Sequence, residues 1–111
     1  MNMLIPKFKK HGFLFQNYNY LGPLNEYSNE PIDVIDELCK IHDIGYDRII
    51  KQTNNDSYPY IHYNVADENL LVGINNINII EFNNIQIEAC EIIIGFLNFK
   101  QMMCSKDLRN Y

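Results

Sequence analysis

A histidine and an aspartate are adjacent at His42 and Asp43, inside the stretch CKIHDIGYD. Adjacent side chains on a helix point about 100° apart, so these two cannot act on the same side of one helix. An imidazole suits general-base chemistry, whereas a carboxylate suits either the orientation of such a base or the binding of a hard cation. The pair therefore predicts two separate tasks, with His42 turned toward one neighbouring element and Asp43 toward another.

Candidate partners for the pair lie on both sides of it in the sequence. The upstream loop YLGPLN, if extended, can present the backbone carbonyls of Tyr20, Gly22 and Leu24 to one side. Carbonyl oxygens and one carboxylate form a ligand set that Ca²⁺ accepts, with water completing about six to eight oxygens. Downstream, Asp67 is a candidate for the carboxylate that fixes the tautomer of a catalytic imidazole.

The distance between His42 and Asp67 can be tested against helix geometry. His42 lies roughly 15 Å before the expected end of its helix near Gln52, and Asp67 lies roughly 5 Å into the next helix. The connector must run back by roughly 10 Å, and a loop of about ten residues reaches about three times that distance. The spacing allows the two side chains to pair but does not require it.

The first of the elements that would position these residues is a helix in NEPIDVIDELCKIHDIGYDRIIKQ. Asn29 or Glu30 is expected to cap it, with Pro31 in its first turn. Steps of four, three, four and three place five residues on one face of this helix: Ile35, Cys39, His42, Tyr46 and Ile49. His42 and Tyr46 are therefore predicted to face inward together.

Two further helices are predicted, which gives a mainly α fold. One begins at about Asn64, and the other covers IQIEACEIIIGFLNFKQMMC, which is apolar nearly all round. The few polar residues expected on the wet side of this last helix are Gln86, Glu88, Glu91, Asn98 and Lys100. The intervening NNINIIEFNN fits either a short strand or a bent helical segment. No repeat or boundary is visible, so residues 1–111 are predicted to form a single domain.

Composition narrows the class of protein. The chain has 111 residues, 47% hydrophobic, with a formal net charge of −5 and no basic run beyond KFKK, so nucleic acid is not an expected partner. Three cysteines, Cys39, Cys90 and Cys104, are too few for a disulfide scaffold and are expected to be free thiols. No signal peptide or membrane-spanning run is visible, which predicts a soluble protein.

The motifs YLGPLN, CKIHDIGYD and YPYIHYNVADENLL, in this order and spacing, resemble the phospholipase A2 domain in the unique region of the parvovirus minor capsid protein. They are also similar to the wider secreted phospholipase A2 superfamily. The resemblance covers about residues 18–71. It implies two antiparallel helices that carry the active site, an N-terminal calcium loop, a further C-terminal helix and no disulfides.

The resemblance also implies a metal site for Ca²⁺. Tyr20, Gly22 and Leu24 would give backbone carbonyls to the ion, and Asp43 would give its carboxylate. The Gly22 backbone N–H would donate to the oxyanion of the reaction. The substrate implied is a phospholipid membrane surface, in a viral protein that breaches membranes, with the oligomeric state left open.

The catalytic residues implied by the resemblance are His42 as general base, Asp67 as its partner and Tyr46 as a supporting hydrogen-bond donor. The reaction implied is hydrolysis of the sn-2 ester of a glycerophospholipid by activated water. The absence of a G-x-S-x-G motif agrees with a mechanism that needs no covalent intermediate.

One position departs from the family pattern. The family's loop normally reads Y-L-G-P-G, whereas Leu24 stands at the second glycine. If that position needs a positive φ, leucine costs on the order of 1 kcal/mol or more, and calcium affinity is the property it would lower. The alternative hypothesis is therefore a catalytically weakened membrane- or protein-binding module with a decayed calcium loop.

Overall fold

Residues 31–111 are described by the structure, a computed structural model, together with the backbone of two short strands that pair antiparallel, β1 (Lys7–Lys9) and β2 (Gly12–Leu14). The elements that follow are α1 (Val34–Thr53), α2 (Tyr58–Ile61), β3 (His62–Asn64), α3 (Val65–Asn75), α4 (Asn84–Met103) and β4 (Ser105–Asp107). The described chain is mainly helical, which confirms the predicted fold class.

Helix α1 begins later than the sequence pattern suggested. Asp33 is the N-cap, and its side chain accepts a hydrogen bond of 2.9 Å from the backbone N–H of Asp36. The Asp36 carboxylate in turn accepts from the N–H of Ile32. The Asp33 side chain satisfies an unpaired N–H of the first turn. The prediction of a cap at Asn29 or Glu30 was therefore wrong, and Pro31 precedes the helix.

Helix α3 begins where it was predicted, because Asn64 and Asp67 form a capping box. The Asn64 side chain accepts from the N–H groups of Ala66 and Asp67, and Asp67 accepts from the Asn64 N–H. Each residue thus satisfies a backbone donor for the other. The cap fixes the Asp67 side chain at the start of α3.

Helix α4 confirms the third predicted helix. Asn83 caps it, with Gln86 completing a second capping box. Residues 76–83, left open between strand and helix, form turns and irregular structure. Within the described part of the chain, no helix is long and apolar enough to cross a membrane.

A short helix and a strand pair were not predicted. Residues assigned to a loop form α2, with Pro59 in its first turn, where a missing N–H costs nothing. Strand β3 pairs in parallel with β4, so that Asn64 lies opposite Asp107. A parallel pair needs a long crossover, and α3 and α4 supply it.

The core joins α1, α3 and α4. Its buried members are Ile35, Cys39, Leu70, Ile74, Ala89, Cys90, Ile93 and Leu97. All three cysteines are free thiols, two of them buried. The predicted inner face of α1 is confirmed, since Ile35, Cys39, Tyr46 and Ile49 are each at most 3% exposed.

Helices α1 and α3 approach closely through small residues. A Cβ added at Gly45 would lie 2.8 Å from the Cβ of Ala66, and one added at Gly73 would lie 2.9 Å from Leu38. Gly45, the later residue on α1, thus meets Ala66 at the start of α3. Leu38, the earlier residue on α1, meets Gly73 near the end of α3. The two helices therefore run in opposite directions. The close contact at Gly45 lies one turn from His42 and brings that side chain within reach of α3.

Candidate active site

His42 and Asp67 meet across the α1–α3 contact. His42 Nε2 lies 2.8 Å from Asp67 Oδ1, which is hydrogen-bond distance. The Asp67 side chain is fully buried, and the His42 side chain is 12% exposed. The structure therefore brings together the two residues that the helix arithmetic allowed to pair.

The contact determines which imidazole nitrogen is basic. Burial alone would raise the pKa of Asp67, but the hydrogen bond and charge of His42 and the ammonium of Lys100 outweigh it and hold that pKa below its ordinary value. An ionised carboxylate only accepts hydrogen bonds, so His42 Nε2 must donate. In the neutral imidazole the lone pair is then on Nδ1, the atom that can take a proton from water.

Tyr46 lies one turn after His42 and supports the same carboxylate. Its hydroxyl donates to Asp67 Oδ1 over 2.7 Å. The centroids of the Tyr46 and His42 rings lie 4.3 Å apart. Burial, together with the charge of Asp67, raises the pKa of the Tyr46 phenol well above its ordinary value. Tyr46 therefore remains a hydrogen-bond donor throughout the physiological pH range.

Lys100 was wrongly expected on the wet side of its helix. It is 5% exposed, and its Nζ lies 2.7 Å from Asp67 Oδ2. The Nζ also donates to the Tyr46 hydroxyl and to the carbonyl oxygen of Pro59. The signal was present in the sequence, because Ile93, Leu97 and Lys100 recur at steps of four and three on the buried face of α4.

Asp43 is buried on α1 at 2% exposure, and its Oδ1 lies 4.0 Å from His42 Nδ1. That distance is too long for a hydrogen bond, so Asp43 does not orient the imidazole directly. Among residues 31–111, no cluster of three or more His, Cys, Asp or Glu side chains could hold a metal ion.

The calcium site predicted from the sequence would not form such a cluster of side chains, because its ligands are one carboxylate and three backbone carbonyls. Its carboxylate donor, Asp43, has the hard oxygen chemistry that Ca²⁺ prefers, and it lies beside the candidate base. The predicted carbonyl donors Tyr20, Gly22 and Leu24 lie outside the described residues. The structure thus describes one of the four predicted calcium ligands, the Asp43 carboxylate.

A groove of about 440 Å³ lies between α1 and α3, with His42 in its wall. Its other lining residues are Leu38, Ile41, Ile44, Gly45, Arg48, Ile49, Val65, Ala66, Asn69, Leu70, Asn110 and Tyr111. Aliphatic side chains dominate this lining, and the volume is in the range typical of small-ligand sites. The candidate base therefore borders a mainly apolar groove.

Comparison with known proteins identifies the family of the chain. Residues 11–100 match the family model of the phospholipase A2-like domain, and the chain belongs to that family. The matched residues include α1 and α3, which carry His42 and Asp67, and they end at Lys100. The predicted membership is therefore confirmed.

One relative of the chain is the minor capsid protein VP1 of Primate bocaparvovirus 1 (strain Human bocavirus 1 type 1). The two are 36% identical over 66 residues, which are 59% of this chain and 9% of the relative. The chain thus corresponds to a small part of that capsid protein. No solved structure matches the chain.

Proposed function

We propose that the chain is a calcium-dependent phospholipase A2 that hydrolyses the sn-2 ester of glycerophospholipids to a fatty acid and a lysophospholipid. The observation that carries the proposal is the 2.8 Å contact between His42 Nε2 and Asp67 Oδ1, in a member of the phospholipase A2-like family. The contact leaves Nδ1 as the basic nitrogen, which is the requirement for a general base.

In the proposed reaction, His42 Nδ1 takes a proton from water as the water oxygen attacks the ester carbonyl carbon. The carboxylate of Asp67 stabilises the imidazolium that forms, and Tyr46 holds that carboxylate in place. When the tetrahedral intermediate collapses, the imidazolium returns its proton to the leaving oxygen of the lysophospholipid. The base is regenerated, and no covalent bond to the protein forms.

Asp43 and the backbone carbonyls of Tyr20, Gly22 and Leu24 would hold the calcium ion in this proposal. When bound, Ca²⁺ supplies positive charge that stabilises the oxyanion. The backbone N–H of Gly22 is proposed to donate to the same oxygen. Asp43 suits its part because it is adjacent to the base but makes no hydrogen bond with the imidazole.

The apolar groove beside His42 supports a lipid as the substrate. Ile41 and Ile44 remain 51% and 36% exposed at this site, so an acyl chain could cover them on binding. The relative is a viral capsid protein. We therefore propose a membrane surface as the site of action and membrane penetration by a virus as the setting.

The test is release of fatty acid from phosphatidylcholine vesicles with Ca²⁺ or with a chelator. His42→Ala should reduce release by at least about 100-fold, since general-base catalysis contributes roughly that much. Chelation should also abolish most of the release, because it removes the positive charge that stabilises the oxyanion. His62→Ala is the matched control. The His62 side chain forms a hydrogen bond with Ser105 at the surface and makes none with Asp67. Unchanged release from His42→Ala would contradict the proposal.

The second candidate function is a binding module with a weakened calcium loop, and the leucine at position 24 favours it. Calorimetry separates the two. The enzyme hypothesis requires Ca²⁺ binding that is lost in Asp43→Asn, whereas the module hypothesis predicts neither binding nor turnover. In the second case, Leu24→Gly should restore calcium binding by relieving the constraint on φ.

A further inference from the structure

Lys100 is a buried cation that the proposed reaction does not use. We propose that Lys100 is a positioning residue, which orients the Asp67 carboxylate and the Tyr46 hydroxyl so that His42 is held in its basic tautomer. The inference rests on the proposed function for its kinetic part only. Its structural part stands on the hydrogen-bond geometry around Nζ.

An ammonium group has three N–H donors and no acceptor. Lys100 Nζ meets three acceptors, at 2.7 Å from Asp67 Oδ2, at 2.5 Å from the Tyr46 hydroxyl, and at the carbonyl oxygen of Pro59. All three donors are therefore used. One side chain of α4 thus connects α1, α2 and α3 at a single point.

The first consequence concerns the direction of the Tyr46 hydroxyl. That group has one proton and faces both Lys100 Nζ and Asp67 Oδ1. Lysine can only donate, so the tyrosine accepts from it and must give its own proton to Asp67. Without the ammonium, the hydroxyl would no longer be compelled to direct its proton at Asp67.

The second consequence concerns the carboxylate of Asp67. Its Oδ1 accepts from His42 and Tyr46, and its Oδ2 accepts from Lys100 and from the Asn64 N–H. Because the ammonium and the Asn64 N–H both donate to Oδ2, the carboxylate cannot rotate to offer that oxygen to the imidazole without losing both hydrogen bonds. Lys100 therefore acts together with the helix cap to fix which oxygen faces His42.

A burial argument agrees with this assignment. Removing an ammonium from water is costly, and burial lowers the pKa of Lys100, an effect that the neighbouring Asp67 charge opposes. Methionine has nearly the same shape and would fill the site at lower cost. A charged side chain here is thus explained by its hydrogen bonds rather than by packing.

The experiment compares Lys100→Met with Lys51→Met, which removes an exposed lysine at the end of α1. Lys100→Met should lower kcat by about 10- to 100-fold with KM within twofold, since groups that orient a catalytic side chain typically have effects of this size. Lys51→Met should leave both constants unchanged. Lys100→Gln keeps an N–H donor, so its kcat should lie between those of Lys100→Met and Lys51→Met. It replaces Lys100→Met in the comparison if the methionine variant does not fold.

A double-mutant cycle tests whether Lys100 acts through Asp67. In an Asp67→Asn background, Lys100→Met should reduce the residual kcat by less than about threefold, because the group that it positions is already lost. Equal effects of Lys100→Met in both backgrounds would show that Lys100 acts by another route and would overturn the proposal.

A spectroscopic readout keeps the proposal testable apart from turnover. In nitrogen-labelled protein, the low-field proton on His42 Nε2 should shift or broaden in Lys100→Met and stay in place in Lys51→Met. If the wild-type chain releases no fatty acid but this resonance responds, the positioning role stands and the proposed function fails. An unmoved resonance with kcat within twofold of wild type would refute the positioning role.

Discussion

Asp67 accepts hydrogen bonds from four donors: the His42 imidazole, the Tyr46 hydroxyl, the Lys100 ammonium and the Asn64 backbone N–H. These donors belong to α1, to α4 and to the residue that caps α3. A buried carboxylate is costly unless such partners surround it, and here His42 and Lys100 lower the pKa of Asp67 despite the burial. Each donor therefore contributes to the stability of the fold and to the orientation of the candidate base.

The contribution of Tyr46 can be measured with Tyr46→Phe. This change removes one donor to Asp67 and one acceptor of Lys100, so the free energy of unfolding should fall by about 1–3 kcal/mol. The rate of fatty-acid release should fall by about tenfold, because the carboxylate loses one of its supports. Urea unfolding and the vesicle assay measure the two effects.

Tyr63→Phe is the matched control for this prediction. Tyr63 is fully buried, and its hydroxyl donates to Glu68 over 2.7 Å, outside the network around Asp67. A comparable loss of stability with an unchanged kcat is expected. If the two variants lose the same activity, the effect of Tyr46→Phe comes from general destabilisation instead.

The spacing of α1 and α3 depends on Gly45. In Gly45→Ala the new methyl would lie 2.8 Å from the Cβ of Ala66, so the helices must separate or shift. Overpacking of this kind typically costs about 1–3 kcal/mol, and the His42–Asp67 distance should lengthen with it. Both the melting temperature and the rate of fatty-acid release should therefore fall.

Two comparisons isolate the cause of this effect. Adding Ala66→Gly to Gly45→Ala removes the opposing methyl and should restore most of the activity. Gly95→Ala, on the exposed side of α4 with no described atom within 4 Å of the new Cβ, should stabilise the protein by up to about 1 kcal/mol. If the double variant is as inactive as Gly45→Ala, close approach of the helices is not the reason.

Periodicity predicted the elements that carry the dyad but not all of its surroundings. The inward face of α1 and the start of α3 follow from local patterns, so the sequence alone indicates that His42, Tyr46 and Asp67 can come together. Strands β3 and β4 are three residues each and pair across more than 40 positions, so no local pattern marks them. Lys100 was misplaced because residue type was given more weight than its position on the apolar face.

Stability of the whole molecule should depend on pH through Asp67. The folded pKa of Asp67 lies below its ordinary value of about 3.9, so its stabilising contribution is complete above that value. The contribution is lost as the pH falls from there through the folded pKa. Urea midpoints from pH 7 down to pH 3 should therefore fall more steeply below about pH 4 for wild type than for Asp67→Asn.

Asp107 provides an internal reference for this measurement. Hydrogen bonds from Arg109, Tyr58 and Tyr111 lower its pKa as well, so both proteins should lose some stability in acid. The difference between wild type and Asp67→Asn removes this shared contribution of Asp107. Parallel acid titrations of the two proteins would contradict the assignment of a lowered pKa to Asp67.

The position of Lys100 in the chain also sets when the network can form during synthesis. Asp67 follows His42 by 25 residues, but Lys100 follows Asp67 by a further 33. At translation rates of about 5–20 residues per second, the ribosome needs roughly 2 to 7 seconds to add that last interval. A nascent chain thus contains both members of the dyad before it contains their cation, and the hydrogen-bond network becomes complete only when α4 has been made.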